Sequence, residues 1–200
     1  MVAPPALHSG VPSVASGLDV LVASRLQLLR GRRFGLLAHQ ASVNGRLEHA
    51  ISLLHDVRGA RLTALFAPEH GLWGAPQDHA TIANDRDPVS GLRVTSLYGE
   101  RREPTPAMLE GLDVMVIDLQ DVGSRYYTFH WTMALTMRAC ARAGVAVMVL
   151  DRPNPLGGDI LEGNVPDPAF ASFVGLHPLP IRHGLTIGEH ARYLVREHGY

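Results

Sequence analysis

The side chains with the most chemistry to offer sit in a few short, glycine-rich runs. Glu69 and His70 lie in PEHGLWG (68–74). Asp118, Gln120, Asp121, Arg125, Tyr126 and Tyr127 lie in DLQDVGSRYYT (118–128). Gln40 and Asn44 belong to HQASVNG (39–45), Arg152 and Asn154 to DRPNPLGG (151–158), Glu162 to EGN (162–164), and Arg182 and His183 to IRHG (181–184). Two carboxylic acids set across a glycosidic bond suffice to hydrolyse it: one protonates the leaving oxygen, the other acts as nucleophile or activates water. Glu69 and Glu162 are the leading pair, because each is flanked by glycine in a turn expected after a strand. Trp73 near Glu69 is the kind of apolar neighbour that raises a carboxyl pKa. Trp73, Tyr126 and Tyr127 are of a type that stacks on sugar rings, and equally of a type that packs locally. Glu69 reads equally well as a turn cap or an arginine partner. Arg125 reads either as a clamp on an anionic group or as a partner of Asp121. Glu189 reads as a helix cap.

A metal-dependent hydrolase is the competing chemistry. Glu69, His70, Asp78 and His79 are close in sequence, with His39 as a further donor, but no helical ligand spacing links them. A saccharide-binding module without turnover is the other alternative. Neither a metal nor an organic cofactor is expected.

Several mechanisms are closed by composition. All 18 basic side chains are arginine, so a phosphate-loop lysine, a Schiff-base lysine and a lysine general base are excluded. Arginine still offers bidentate carboxylate and phosphate recognition. The formal charge of −1 gives no global field to draw nucleic acid or anionic lipid. The one cysteine, Cys140, rules out an intramolecular disulfide and reads as a small buried hydrophobe. No apolar run approaches the ~20 residues of a membrane span. Residues 1–16 lack the basic and apolar regions of a secretory signal and read as a flexible lead-in, which favours a cytoplasmic location.

The elements that must position these runs follow from apolar periodicity. Strands are expected at 34–38, 61–67, 93–98, 113–119 and 145–150, the last two apolar enough to be buried on both faces of a parallel sheet. Helices are expected at 18–29, 47–57, 105–112 and 128–143, the last closed by Gly144. A capping box, Thr186 to Glu189, opens a further helix with Ile187, Ala191, Leu194 and Val195 on its apolar side. Alternating strand and helix imply right-handed crossovers and a three-layer α/β domain with a mostly parallel sheet flanked by helices. Ligands of such sheets bind outside the carboxyl ends of the strands, where the runs above fall. No G-x-G-x-x-G follows the first strand and no G-x-S-x-G occurs, so neither a dinucleotide site nor a nucleophile elbow is expected.

Six runs in order, APEHGLWG, SLYG, DLQDVGSRYYT, LDRPNPLGG, LEGN and PIRHGLTIGE, resemble the NamZ family of exo-β-N-acetylmuramidases. The resemblance covers residues 17–200. It implies a Rossmann-like N-terminal catalytic domain, with the family's smaller C-terminal domain absent from this chain. The same resemblance implies release of N-acetylmuramic acid from the non-reducing end of peptidoglycan fragments. Family members are often exported, which sets a secreted or periplasmic location against the cytoplasmic one. The run after Gly74, APQDH, departs from the more glycine-containing pattern of the family. On this resemblance Glu69 is expected as general acid and Glu162 as second carboxylate. His70, Asp118 and Asp121 are expected to assist. Gln40, Asn44, Trp73, Gln120, Tyr126, Tyr127, Arg152, Asn154 and His183 are expected to line the sugar site. The lactyl carboxylate of the substrate needs a cation, and Arg125 or Arg182 is expected to supply it.

Overall fold

The computed structural model describes residues 14–24, 26–74 and 86–200. Asp78 and His79 lie outside the described residues. Five strands form one parallel sheet: β1 (Arg33–Ala38), β2 (Arg61–Ala67), β3 (Val94–Ser96), β4 (Val114–Asp118) and β5 (Ala146–Val149). The order across the sheet is β3-β2-β1-β4-β5. The chain therefore moves outward from β1 to β3 and then returns to place β4 against the other side of β1. That switch opens a crevice at the carboxyl ends of β1 and β4.

Alternation along the central strands builds two cores. Phe34, Leu36, Val114 and Val116 pack with Leu18, Ile51 and Leu54 on one face. Leu37, Met115 and Ile117 pack with Trp131, Met133, Leu194 and the buried Cys140 on the other. Helices α1 (Gly17–Ala23) and α2 (Ala50–Leu54) supply the first layer. Helices α3 (Pro106–Leu109), α4 (Phe129–Ala143) and α5 (Ile187–His198) supply the other. With apolar residues on both faces, β4 is buried along its whole length, as its sequence demands. β5 is not: as the outermost strand it is half exposed, although its sequence is as apolar as that of β4.

Local chemistry sets the helix ends. Both Ser16–Asp19 and Thr186–Glu189 form capping boxes, for α1 and α5. Gly144 and Gly199 close α4 and α5 in the left-handed conformation (φ 68° and 67°). The first expected helix is shorter than its pattern. Leu26 adopts φ 55°, which ends α1 and leaves a 3-10 turn at Gln27–Leu29. The second is also shortened: Leu47 has φ 62°, and the chain turns helical only after His49, whose ring nitrogen accepts the Ile51 N–H. On α5, Ile187, Ala191 and Leu194 are buried, whereas Val195 is exposed. Among the described residues, no helix is long and apolar enough to cross a membrane.

Candidate active site

The loop after β1 turns back under β4. The Ser42 hydroxyl donates to the Asp118 carbonyl and accepts the His39 N–H at 2.9 Å. Asp118, the last residue of β4, is fully buried. Its carboxylate receives the Arg152 guanidinium two-pronged, Nε to Oδ1 at 2.6 Å and Nη2 to Oδ2 at 2.9 Å. Arg152 also donates to the Val43 carbonyl at 2.9 Å, so this guanidinium rivets the ends of β4 and β5 to the β1 loop. Burial raises the Asp118 pKa, and the hydrogen bond and charge of Arg152 oppose the rise.

His39 lies beside this pair. Its Nε2 accepts the Gln120 N–H at 2.9 Å, which leaves the ring proton on Nδ1. Burial, the Arg152 charge and His49 push its pKa down to about 4, so the ring is neutral at neutral pH. Gln120 donates its side-chain amide to the Asp121 and Pro153 carbonyls at 2.6 and 3.0 Å. Asn154 donates to the Leu185 carbonyl and accepts the Leu156 N–H. It lies so close to Gly123 that a Cβ there would fall 2.2 Å from its Oδ1. Asn44 folds its own loop, bonding Glu48 and the backbone of Arg46.

Glu69 follows the end of β2. His70 (φ 67°) and Gly71 (φ 74°) both take left-handed conformations, which reverses the chain immediately after the acid. A non-glycine residue in that region carries strain, and such strain concentrates at functional sites. Glu69 is half-buried and accepts the Thr128 hydroxyl at 2.6 Å. Thr128 ends the loop that Asp118 begins, so the hydrogen bond ties the second loop to the fourth. His70 and Gln40 are exposed. Trp73 packs against His49 at 4.6 Å between ring centres, the planes tilted by 39°.

Glu162 and Arg182 form a second unit. Their backbones bridge each other, and Arg182 Nη1 donates to Glu162 Oε2 at 2.8 Å. The Glu162 side chain is 63% exposed, so this is a rim ion pair. Arg182 Nη2 also holds the Leu156 carbonyl.

Asp121 does not meet Arg125, contrary to one expectation. It accepts the Gly123 N–H at 2.9 Å and faces His130 Nδ1 at 3.1 Å and His183 Nε2 at 3.2 Å. Burial pushes its pKa up, but the facing His130 and His183 and the Gly123 N–H outweigh this and hold the carboxyl well below the usual range. Beyond it lies His190, buried with neither ring nitrogen hydrogen-bonded, its pKa pushed down to about 2 by burial and the neighbouring histidines. Among the described residues, Asp121, His130 and His183 form the set that could hold a metal ion, their ligand atoms lying within 4.8 Å of one another. The hydrogen bonding fits a different state. His183 Nδ1 accepts the Leu185 N–H at 3.2 Å, so Nε2 carries the ring proton toward Asp121, where a metal would need a lone pair. Arg125 instead donates Nη1 to the Asn164 and Leu179 carbonyls at 2.7 and 2.5 Å. Neither aspartate therefore orients Arg125.

Sequence pattern alone does not single out Ser42, Thr128 or His130. Ser42 and Thr128 belong to loops read for larger groups, and His130 falls within the apolar pattern of α4. The clue available was position: Thr128 and His130 sit at the start of a helix that follows a candidate loop.

The family model for the exo-beta-N-acetylmuramidase NamZ N-terminal region matches residues 34–200. Over 186 residues the chain is 44% identical to the peptidoglycan beta-N-acetylmuramidase NamZ of Bacillus subtilis (strain 168), covering 93% of this chain and 45% of that protein. Two crystal structures of DUF1343 family proteins from Bacteroides fragilis NCTC 9343 share the fold. One has a TM-score of 0.85 at 41% identity, the other 0.77 at 31%. Each match covers 92% of this chain, and 46% and 47% of the respective structures. The chain thus spans about half the length of the relatives it matches.

Proposed function

This chain belongs to the NamZ exo-β-N-acetylmuramidase N-terminal family, and from that premise we propose that it carries the catalytic crevice of a glycoside hydrolase. The substrate is a peptidoglycan fragment, and the product is N-acetylmuramic acid released from its non-reducing end. The general acid is Glu69. The observation that supports this assignment is the state of the crevice acids. Asp118 is locked to Arg152 and Asp121 to a histidine pair, both buried. Glu162 is paired with Arg182, and Asp151 caps α5 through Thr186 and Gly188. Glu69 is half-buried, and among these its one side-chain partner is a neutral hydroxyl. A carboxyl group so placed is free to give and retake a proton, while Thr128 fixes its orientation. Glu162, paired with Arg182, is the second carboxylate of the reading.

The test is E69Q in the full-length protein, assayed with a chromogenic N-acetylmuramide. Loss of the proton donor is expected to lower kcat by roughly 10²–10⁴-fold with little change in the folded structure. Near-wild-type turnover would sink the role.

A further inference from the structure

Arg125 is only 7% exposed, and among the described residues no carboxylate lies within ion-pairing distance of it. A buried guanidinium is costly unless an anion accompanies it. The two nearby arginines are already neutralised: Arg152 by Asp118 and Arg182 by Glu162. The buried acid on its own loop, Asp121, is taken by His130 and His183.

The donor inventory shows where an anion fits. Both Nη1 protons are used by the Asn164 and Leu179 carbonyls. Nη2 has one long contact, 3.5 Å to Asn164 Oδ1, and Nε has no acceptor among the described residues. The Nε–Nη2 edge of a guanidinium is a planar fork that matches the two oxygens of a carboxylate. The carbonyl bonds and the Arg125 N–H to the Ile181 carbonyl at 2.8 Å hold that fork in place before a ligand arrives. Next in the chain stand Tyr126 and Tyr127, 60% and 49% exposed, then Thr128 on Glu69. One short loop thus carries a cation lacking a counter-ion, two exposed rings and the hydroxyl that orients the acid.

Resting on the muramidase reading, we propose that Arg125 recognises the ligand carboxylate through its Nε–Nη2 edge, and so makes the site selective for the lactyl-bearing sugar. Arg182 is not the selector, because its charge is already met by Glu162.

Three chromogenic substrates that differ only at the sugar O3 test this in the full-length protein: the N-acetylmuramide, its lactyl carboxamide, and the N-acetylglucosaminide. The wild type is expected to favour the carboxylate over the carboxamide by roughly ten- to a hundredfold in kcat/KM, the scale of a charged hydrogen-bonded pair. R125Q is expected to bring that ratio toward one, and R125K, which keeps charge but not the fork, to retain part of it. A merely structural role would lower all three activities together and leave the ratio intact, which would overturn the proposal. So would loss of the ratio in R182Q with R125Q unchanged. Should R125Q fail to fold, R125K and thermal protection of the wild type decide: no greater protection by N-acetylmuramic acid than by N-acetylglucosamine overturns it. If the wild type hydrolyses none of the three, the muramidase reading fails and this inference with it. A preserved ratio in an active R125Q sinks this inference alone.

Discussion

Asp118 and Asp121 flank Leu119 and Gln120 at one end of β4, and both are buried, yet the protein neutralises them by different chemistry. Asp118 takes a guanidinium, which stays charged at any ordinary pH. Asp121 takes two imidazoles, and a third, His190, packs 5.0 Å from the ring of His130. The first arrangement is a fixed rivet between the β1 loop, β4 and the loop after β5. The second ties the start of α4 to the segment before α5, where burial lowers the pKa values of His130 and His190. The crevice is thus supported on one side by a pH-indifferent contact and on the other by a pH-sensitive one.

The largest effect should come from breaking the rivet. R152M leaves the Asp118 carboxylate buried without its cation, and about 3–5 kcal/mol of unfolding free energy is expected to be lost. Denaturant titration measures it. D118L combined with R152M should recover much of that loss, because a well-packed apolar pair removes the uncompensated charge. Equal stabilities for the single and double variants would show that the pair is not the rivet described here.

Acid should act through the buried histidines, His39 beside the rivet and His130 and His190 around Asp121. His39 and His190 have folded pKa values of about 4 and about 2, and that of His130 is also lowered by burial. Each lies below the unfolded value near 6.5, so the unfolded chain binds protons first as pH falls. Stability is therefore full above about pH 6.5 and declines below it. His39 and His190 should each cost ~2 kcal/mol by pH 5. Asp121 adds its own loss only below about pH 4, since its folded pKa is depressed beneath the unfolded one. Unfolding free energies at pH 7 and pH 5 check the slope. H190F, which cannot take a proton, should flatten it by one histidine's share, and an unchanged slope would remove His190 from the account.

The smallest effect is expected at Ser42, which bridges the His39 N–H and the Asp118 carbonyl. S42A should cost about 1 kcal/mol per lost hydrogen bond and act on the rivet side only, with the share of the acid slope that H190F removes unchanged. A change in that share would mean the two halves are coupled.

Much of the fold was legible from local pattern. The β2 boundaries, the Gly144 stop of α4 and the Thr186 capping box follow from neighbours a few residues apart, and each element appears where its sequence places it. What misled was equally physical. A continuously apolar run does not distinguish a central strand from an edge strand, so β5 reads as buried when it is not. The amphipathic pattern of 18–29 does not register the left-handed turn at Leu26. The candidate loops were found because chemistry-bearing residues gather after strands. Their partners were not, because Asp118 and Arg152, or Asp121 and His183, are brought together by strand order and loop path alone.

The sequence by itself determined the alternation of strand and helix, the placing of polar loops at strand ends, and the lack of any lysine, because these depend on residue type and short-range spacing. Only the tertiary structure decided which charge meets which. Pairing depends on distances set by the β1–β4 switch, and that switch gave Arg152 to Asp118, two histidines to Asp121, and left Arg125 without a counter-ion among the described residues.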